Sequence, residues 1–252
     1  MLYLVEHFYS IQGEGKYVGR PSLFLRFGGC NMKCEGFGCQ EVFEDGTTVL
    51  GCDTIYAVNR EHFSKNWTQI NRVEELLKIL DLYELPFAVD IVLTGGEPLI
   101  YAEDKIFIDF LNTIYEKGHR VHFETNGSLG VDFQKYPIYK ECYFALSIKL
   151  SSSGEALKKR VNLDIIHSLA TNSKKAFFKF TVGRESINTS LEQEIKDIVS
   201  ISPSTEVYCM PLGGSKSEIE ENSEPLVEFC KKTGYNFSDR LHMRIWDKKK
   251  GI

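Results

Sequence analysis

The sequence predicts an α/β protein built as a partial, open (β/α) barrel with an irregular N-terminal region, and three observations carry that expectation. Short apolar runs alternate with helical patterns about six times, which gives a mostly parallel sheet backed by helices. The first 70 residues read as largely irregular, so too little of the 252-residue chain remains for eight strand–helix units, because a full eightfold barrel takes about 250 residues by itself. Four polar motifs, TGGEP, ETNG, SIK and CMPLGG, each follow or end a strand-like run. All four therefore point to the one sheet edge where ligands gather in such folds.

The elements follow in chain order. Asn71 precedes RVEELLKIL with Glu74 three residues on, the pattern of a capping box opening a helix with Val73, Leu76, Leu77 and Leu80 on one face. DIVLTGG is a buried-strand run closed by glycines. Residues 103–117 form the next helix, with Ile106, Phe110, Leu111 and Ile114 inward and Gly118 as its stop. RVHFETNG and CYFALSIK are strands, LKKRVNLDIIHSLA a helix and AFFKFTV a strand. Leu191, Ile195, Ile198 and Val199 make a helical stripe. EVYCMP is a strand, EPLVEFCKKTG a helix closed by Gly234, and LHMRIW the last strand. No low-complexity linker interrupts the chain, so residues 1–252 read as a single domain.

Composition narrows the function. Hydrophobic residues make up 42% and charged residues 26%, ordinary for a soluble globular protein. A formal charge of −5 supplies no basic field for nucleic acid or anionic lipid, and Lys248-Lys249-Lys250 reads as a solvated tail. No apolar stretch approaches the ~18 residues of a membrane span, and MLYLVEHF lacks the basic and apolar regions of a signal peptide. A cytoplasmic protein is expected, without nucleic-acid or membrane partners.

Four of the seven cysteines, Cys30, Cys34, Cys39 and Cys52, crowd into GGCNMKCEGFGCQEVFEDGTTVLGCDT, residues 28–54. Cys142, Cys209 and Cys230 are scattered in strand-like or helical contexts and read as small buried hydrophobes. In a reducing compartment, clustered cysteines favour a metal or redox centre over a disulfide framework. Four thiolates suit a closed zinc site, although no paired C-x2-C knuckle exists here. Three suit a 4Fe–4S cluster that leaves one iron open to a small molecule. Spacing alone does not separate the two.

The neighbouring residues do. PSLFLRFGGCNMKC resembles the entry to a radical S-adenosylmethionine (SAM) cluster loop. The usual superfamily pattern, C-x3-C-x2-C, would put the third cysteine at position 37, where Phe37 stands. TGGEP strengthens the resemblance, since a Gly-Gly-Glu-Pro strand end in that superfamily binds the methionine amino group of SAM through its backbone. FYSIQGEGKYVGRPSLFLRFGGCN resembles the 7-carboxy-7-deazaguanine synthases of queuosine and other deazapurine biosynthesis. In that family Ser-Ile-Gln-Gly-Glu-Gly precedes the cluster loop and Asp-Thr follows the third cluster cysteine, a triplet supplied by Cys52-Asp53-Thr54. Glu124-Thr125-Asn126-Gly127 and Ser147-Ile148-Lys149 match further strand-end motifs, with Ile148 where many members have proline. The tail DRLHMRIWDKKKGI resembles the end of the longer members, so the resemblance runs in patches from residue 6 to the C-terminus.

The resemblance implies a radical SAM-type barrel and a 4Fe–4S cluster on Cys30, Cys34 and Cys52, with Cys39 outside it and an insertion at about 35–51. Lengthening the last spacer from two residues to seventeen costs ~2 kcal/mol of loop-closure entropy, small beside metal-site affinities of ~10 kcal/mol or more. Thr54 would offer a hard oxygen to Mg2+; a turn or N-cap threonine is its plain alternative. Ile11, Gln12, Gly13 and Glu14 would hold the pterin, whose pyrimidine edge matches amide and carboxylate groups; a surface turn is the alternative. Arg26 would meet the substrate carboxylate, its rival being a structural ion pair. Thr94 would border the substrate. Gly95, Gly96, Glu97, Glu124, Asn126, Ser147, Ile148, Lys149, Met210, Pro211, Leu212 and Gly213 would face SAM. His122 and His242 alternate into strands as core or lining residues, while His7, His62, His119 and His167 show no site pattern.

The implied reaction is a lyase step. Reductive cleavage of SAM gives a 5′-deoxyadenosyl radical that takes hydrogen from C6 of 6-carboxy-5,6,7,8-tetrahydropterin. Ring contraction with loss of ammonia follows, and SAM is regenerated. The family also implies a homodimer, a small-molecule pterin substrate and an electron donor such as flavodoxin or ferredoxin, within a pathway of tRNA modification. No side-chain base stands out. Two rivals remain: a glycyl-radical activase, for which SIQGEG and Cys-Asp-Thr have no use, and a non-enzymatic binding module with four cysteines closed around zinc.

Overall fold

The computed structural model describes residues 1–43, 45–249 and 251; Lys250, the end of the basic run, lies outside them. Its strands are β1 (Leu2–Ile11), β2 (Pro21–Phe27), β3 (Cys39–Val42), β4 (Thr48–Gly51), β5 (Thr68–Ile70), β6 (Asp90–Gly95), β7 (Arg120–Thr125), β8 (Tyr143–Leu146), β9 (Lys175–Val182), β10 (Val207–Pro211) and β11 (Asn236–Phe237). Among the described residues, nine form one sheet in the order β11-β10-β9-β8-β7-β6-β2-β1-β5, and β3 and β4 pair as a separate hairpin. From β2 through β6 to β11 every pairing is parallel, as the alternation of strands and helices predicts. The ends of β6, β7, β8 and β10 carry TGGEP, ETNG, SIK and CMPLGG to one edge.

The N-terminal region is more regular than expected. LYLVEHFYSI and PSLFLRF pair antiparallel from Leu4 opposite Phe27 to Ile11 opposite Pro21. The glycine-rich stretch between them hides a clear alternation: Leu23, Leu25 and Phe27 are fully buried, while Ser22, Phe24 and Arg26 face the other way. The same period of two runs through the parallel strands. Ile91, Leu93, Val121, Phe123, Phe144, Leu146, Phe178 and Phe180 enter the core beneath the helices. The opposite, concave face is left with Glu124, Lys179, His122 and Tyr143.

Several helix readings shift. The helix Val73–Leu82 buries Leu76, Ile79 and Leu80 but is not capped by Asn71. Gln69 donates to the Asn71 side chain at 2.8 Å, and Glu75, not Glu74, accepts the Asn71 N–H at 3.0 Å. LKKRVNLDIIHSLA is broken into Leu157–Arg160 and Leu163–Asn172, because Asn162 restarts the helix by accepting the Ile165 N–H. The helix ending at Gly234 begins much earlier, at Lys216, where the Ser215 hydroxyl accepts the Glu218 N–H; Pro225 lies inside it. LHMRIW is a helix, Leu241–Trp246, and not a strand. The free edge of β10 is already taken by β11, and Asp239 accepts from both the Arg240 N–H and Arg244 Nε, which turns the chain. His242 is therefore helical.

The N-terminal ends of the strands are closed by a charged and aromatic plug. Asp90, almost fully buried, takes a two-pronged contact from Arg120 at 2.7 and 2.6 Å and a third from Arg20 at 3.0 Å. The Arg120 guanidinium lies 5.3 Å from the Tyr17 ring centre and 5.4 Å from that of Tyr143. Burial would raise the Asp90 carboxyl, but Arg120 outweighs it and holds it low. Burial likewise drives His122 down to about 4, so it is neutral at physiological pH. Asp90→Asn should cost about 1–3 kcal/mol, since it removes the charge that two partly exposed guanidinium groups share while keeping one acceptor oxygen. Urea melts check this. The depressed carboxyl contributes fully above the ordinary aspartate range and loses its contribution as pH falls through the folded value. The gap between wild type and variant should therefore close below about pH 4.

Candidate active site

The cluster loop begins where β2 ends. Glu97 donates its backbone N–H to the Gly29 carbonyl at 2.9 Å, and Gly96 donates to that of Phe27 at 3.2 Å, so TGGEP and GGC lie backbone to backbone. Only glycine permits this. A Cβ on Gly96 would overlap the Gly29 carbonyl and crowd the Cys30 Cβ, and one on Gly95 would overlap the Phe27 carbonyl. The Glu97 side chain points elsewhere. Fully buried, it accepts from Leu99 N at 3.0 Å, Thr125 Oγ1 at 2.8 Å and Asn126 N at 2.7 Å. It ties the end of β6 to the end of β7, and burial pushes its carboxyl up.

Past Cys34, residues 35–37 make a single turn and β3 and β4 return as a hairpin. The return places Gly51 against the loop: a Cβ there would stand 3.2 Å from the Lys33 carbonyl oxygen. The seventeen-residue spacer thus delivers Cys52 beside Cys34. Burial drives the Cys30 thiol up to about 12, with Glu97 adding to it, and the Cys34 thiol up to about 11, with Cys52 adding and Lys149 opposing. Cys39 stands opposite Gly51, its sulfur turned to the Phe37 carbonyl at 3.9 Å. Cys142, Cys209 and Cys230 are buried, as expected.

Free thiols at Cys30, Cys34 and Cys52 are the donor type that a 4Fe–4S cluster takes. Among the described residues no three cysteine, histidine or acidic side chains already converge as a metal site. Cys34 lies within electrostatic reach of both Cys30 and Cys52, and Cys39 within reach of Cys52. A polar edge faces the loop. Asn126 donates to Asn31 Oδ1 at 2.9 Å, Asn31 to Ser128 Oγ at 2.8 Å, and the buried Ser147 hydroxyl has no partner. Thr54 sits at the N-cap of a short helix without capping it, its hydroxyl 3.3 Å from the Cys52 sulfur.

The second half of the site lies on the concave face. The loop after β1 folds inward, and Gln12 donates to Glu124 Oε1 at 3.1 Å. Lys179 from β9 is clamped between Glu124 and Glu14, the latter at 3.0 Å. Arg240 donates to Glu14 Oε1 at 2.8 Å, to the Gly213 carbonyl, and to Asp53 Oδ2 at 3.3 Å. Burial alone would raise Glu14, but Lys179 and Arg240 overcome it and hold the carboxyl well below its usual range. Burial would lower Lys179, and Glu124 with Glu14 raises it instead. An almost fully buried lysine held by two carboxylates keeps its own charge and that of Glu14.

Gln12, Glu14, Glu124 and Gly213 are therefore brought together, and Thr94 lies opposite Arg26 on the neighbouring strand. Gly13 packs under His242 and accepts the Leu241 N–H at 2.9 Å. Arg26 is held by Glu6 at 2.7 Å beneath Tyr56, the ion pair named as its rival. Ile11, the last residue of β1, pairs with Pro21 and leads directly into Gln12. Two residues turn away: the Ile148 side chain is buried in the core against Gly127, and Leu212 packs on Gly183. Pro211 closes the register with Val182, next to the buried Met210. Lys179, Arg240 and Asp53 were missed. A lysine inside AFFKFTV was a visible signal, of the same kind as the arginine in LFLRF; Arg240 gave none.

A family model described as a 4Fe-4S single cluster domain matches residues 11–170. The 7-carboxy-7-deazaguanine synthase of Hyperthermus butylicus is 30% identical over 97% of this chain and 93% of its own length. In structure the chain is similar to QueE from Escherichia coli, with a TM-score of 0.63 and 19% identity over 96% of this chain and 95% of that one. It is also similar to Streptococcus suis SuiB bound to S-adenosylmethionine, with a TM-score of 0.51 and 15% identity over 84% of this chain and 48% of that one. With a radical SAM-type fold, a cysteine-lined loop against a Gly-Gly-Glu-Pro strand end and these relatives, the chain belongs to the 7-carboxy-7-deazaguanine synthase family.

Proposed function

We propose that this site contracts the ring of 6-carboxy-5,6,7,8-tetrahydropterin to 7-carboxy-7-deazaguanine with loss of ammonia, a carbon–nitrogen lyase reaction of queuosine biosynthesis. One observation carries the reading. The charged chain Asp53–Arg240–Glu14–Lys179–Glu124 starts one residue past Cys52 and ends where Gln12 meets Glu124. It joins the cluster loop to the loop that would hold the pterin.

When bound, the cluster and SAM supply the one-electron chemistry that starts hydrogen abstraction at C6. Cys30, Cys34 and Cys52 would hold the cluster. The Gly95–Gly96 backbone, Asn126 and the Ser147–Lys149 segment would hold SAM; the unpartnered Ser147 hydroxyl supports this. Gln12 and Glu14 present an amide and an ionised carboxylate, which match the amino and N–H donors of a pterin's pyrimidine edge. Arg240 and Lys179 fix Glu14 in place, so its orientation is set before the substrate arrives. Arg26, whose Nε is taken by Glu6, would meet the substrate carboxylate with its remaining nitrogens, and Thr54 would give an oxygen to Mg2+ shared with that carboxylate. A cytoplasmic homodimer reduced by a flavodoxin or ferredoxin completes the proposal. Among the described residues no helix is long and apolar enough to cross a membrane.

The reaction is tested with anaerobically reconstituted, reduced protein, SAM and carboxytetrahydropterin. The deazaguanine product should accumulate, and chelation of Mg2+ should slow it at least tenfold, restored by added Mg2+. Turnover unchanged by chelation would remove the Thr54 role, and no product from iron-loaded protein would remove the reaction.

A further inference from the structure

We propose that Glu155 is a positioning residue for the cluster loop, holding the second cluster cysteine in place from outside the cysteine motif. The inference rests on Cys34 being a ligand. Cys34 adopts a left-handed conformation, φ 53° and ψ 45°, which a residue with a Cβ adopts at a cost. Something must hold it there. The Glu155 carboxylate accepts the backbone N–H groups of both Lys33 and Cys34, the latter at 3.1 Å. Charge-assisted bonds of this kind are about twice as strong as neutral ones. Its other oxygen takes Lys159 Nζ at 2.8 Å.

A second, independent contact lies one residue away. Residues 35–37 pack on Ser152–Gly154 so closely that a Cβ on Gly36 would overlap the Ser152 carbonyl oxygen. This shelf is itself fixed. Glu194 accepts from the Ser151 backbone N–H and hydroxyl, both at 2.8 Å, and from Arg160 at 2.6 Å; Arg160 also donates to the Lys149 carbonyl at 2.9 Å. The loop from Lys149 to Arg160 thus touches both the Ser147–Lys149 segment and the cluster loop. Cys34 is separated from Cys52 by seventeen residues, so the local chain constrains it weakly, and Glu155 supplies the missing constraint.

The test uses the full chain in two states. In the iron-loaded protein, Glu155→Ala should speed iron loss to a chelator about ten- to a hundredfold, with Glu155→Gln intermediate because it keeps an acceptor oxygen. Lys159→Ala, which removes only an exposed partner, should stay within about twofold of wild type. In the iron-free protein, alkylation of Cys34 should accelerate in Glu155→Ala while that of the buried Cys142 stays at its wild-type rate. Iron loss and Cys34 labelling both unchanged would overturn the proposal. So would equal acceleration at Cys34 and Cys142, which marks general loosening. The labelling result stands whether or not the protein turns over pterin, so a failure of the reaction and a failure of this role are read separately.

Discussion

Cys52→Ser should leave the protein without its iron–sulfur cluster, whereas Cys39→Ser should load and retain one. The choice between the two thiols is geometric. The hairpin of β3 and β4 brings Gly51 against the Lys33 carbonyl, so Cys52 arrives beside Cys34. Cys39 also lies near Cys52, across the hairpin from Gly51, but its sulfur is turned to the Phe37 carbonyl. With three thiolates a cube is anchored; with two it is labile. Iron content should fall from about four per chain to below one in Cys52→Ser and stay near four in Cys39→Ser. Turnover should follow the iron. Burial already keeps the Cys30 and Cys34 thiols protonated at neutral pH in the absence of metal, so cluster assembly must displace their protons and should be favoured at higher pH. Iron retained by Cys52→Ser and lost by Cys39→Ser would reverse the assignment.

Lys179→Met should be the most damaging change outside the cluster loop. It removes the ammonium that Glu14 and Glu124 share and leaves two carboxylates facing each other in a water-poor site. Breaking a buried pair of this kind costs about 3–5 kcal/mol, which denaturant melts will show. Turnover should fall about a hundredfold or more, because Glu14 loses one of the two groups that orient it. The pH response gives a sharper sign. In wild type the Glu14 carboxyl is held low, so its contribution to stability is complete above the ordinary glutamate range and is lost as pH falls through the lowered value. Without Lys179, like charges and burial push one carboxyl upward, and the acidic limb of the pH–rate profile should move toward neutrality. Lys179→Arg, which keeps the charge, should recover part of both effects. A Lys179→Met protein with wild-type stability and turnover within threefold would show that the network is decorative.

Much of the architecture was legible because parallel strands buried on both faces leave plain apolar runs. DIVLTGG, RVHFETNG and AFFKFTV each became the strand they resemble, and the polar residues that follow them reached a common edge. The misreadings have physical causes. PSLFLRF alternates cleanly and is the strand it resembles, whereas LYLVEHFYSI loses the period of two past Leu4, where its register with the partner shifts. LHMRIW alternates as well as a strand does, yet no free sheet edge remained to receive it. Asn71 carries the chemistry of a helix cap, and Gln69 simply occupies its side chain first.

The site divides in the same way. Residues whose backbone does the work, such as Gly95 and Gly96, announce themselves in a motif. Residues that act by reaching across the fold do not. Arg240 meets Glu14 over a separation of 226 positions, and Glu155 meets Cys34 over 121; neither pairing leaves a local trace. Lys179 was different, since a lysine in an otherwise apolar strand needs a buried partner. Ile148 shows a limit of motif reading, because its side chain faces the core rather than the edge its neighbours line.

The measurement that bears most directly on radical chemistry at this site uses carboxytetrahydropterin deuterated at C6. Reduced, iron-loaded protein with SAM should form the deazaguanine product more slowly from the labelled substrate, and deuterium should appear at the 5′ carbon of the adenosyl group. Product formed at an unchanged rate, with the deuterium released to solvent and none in the adenosyl group, would contradict hydrogen abstraction between the cluster loop and the Gln12–Glu124 pair.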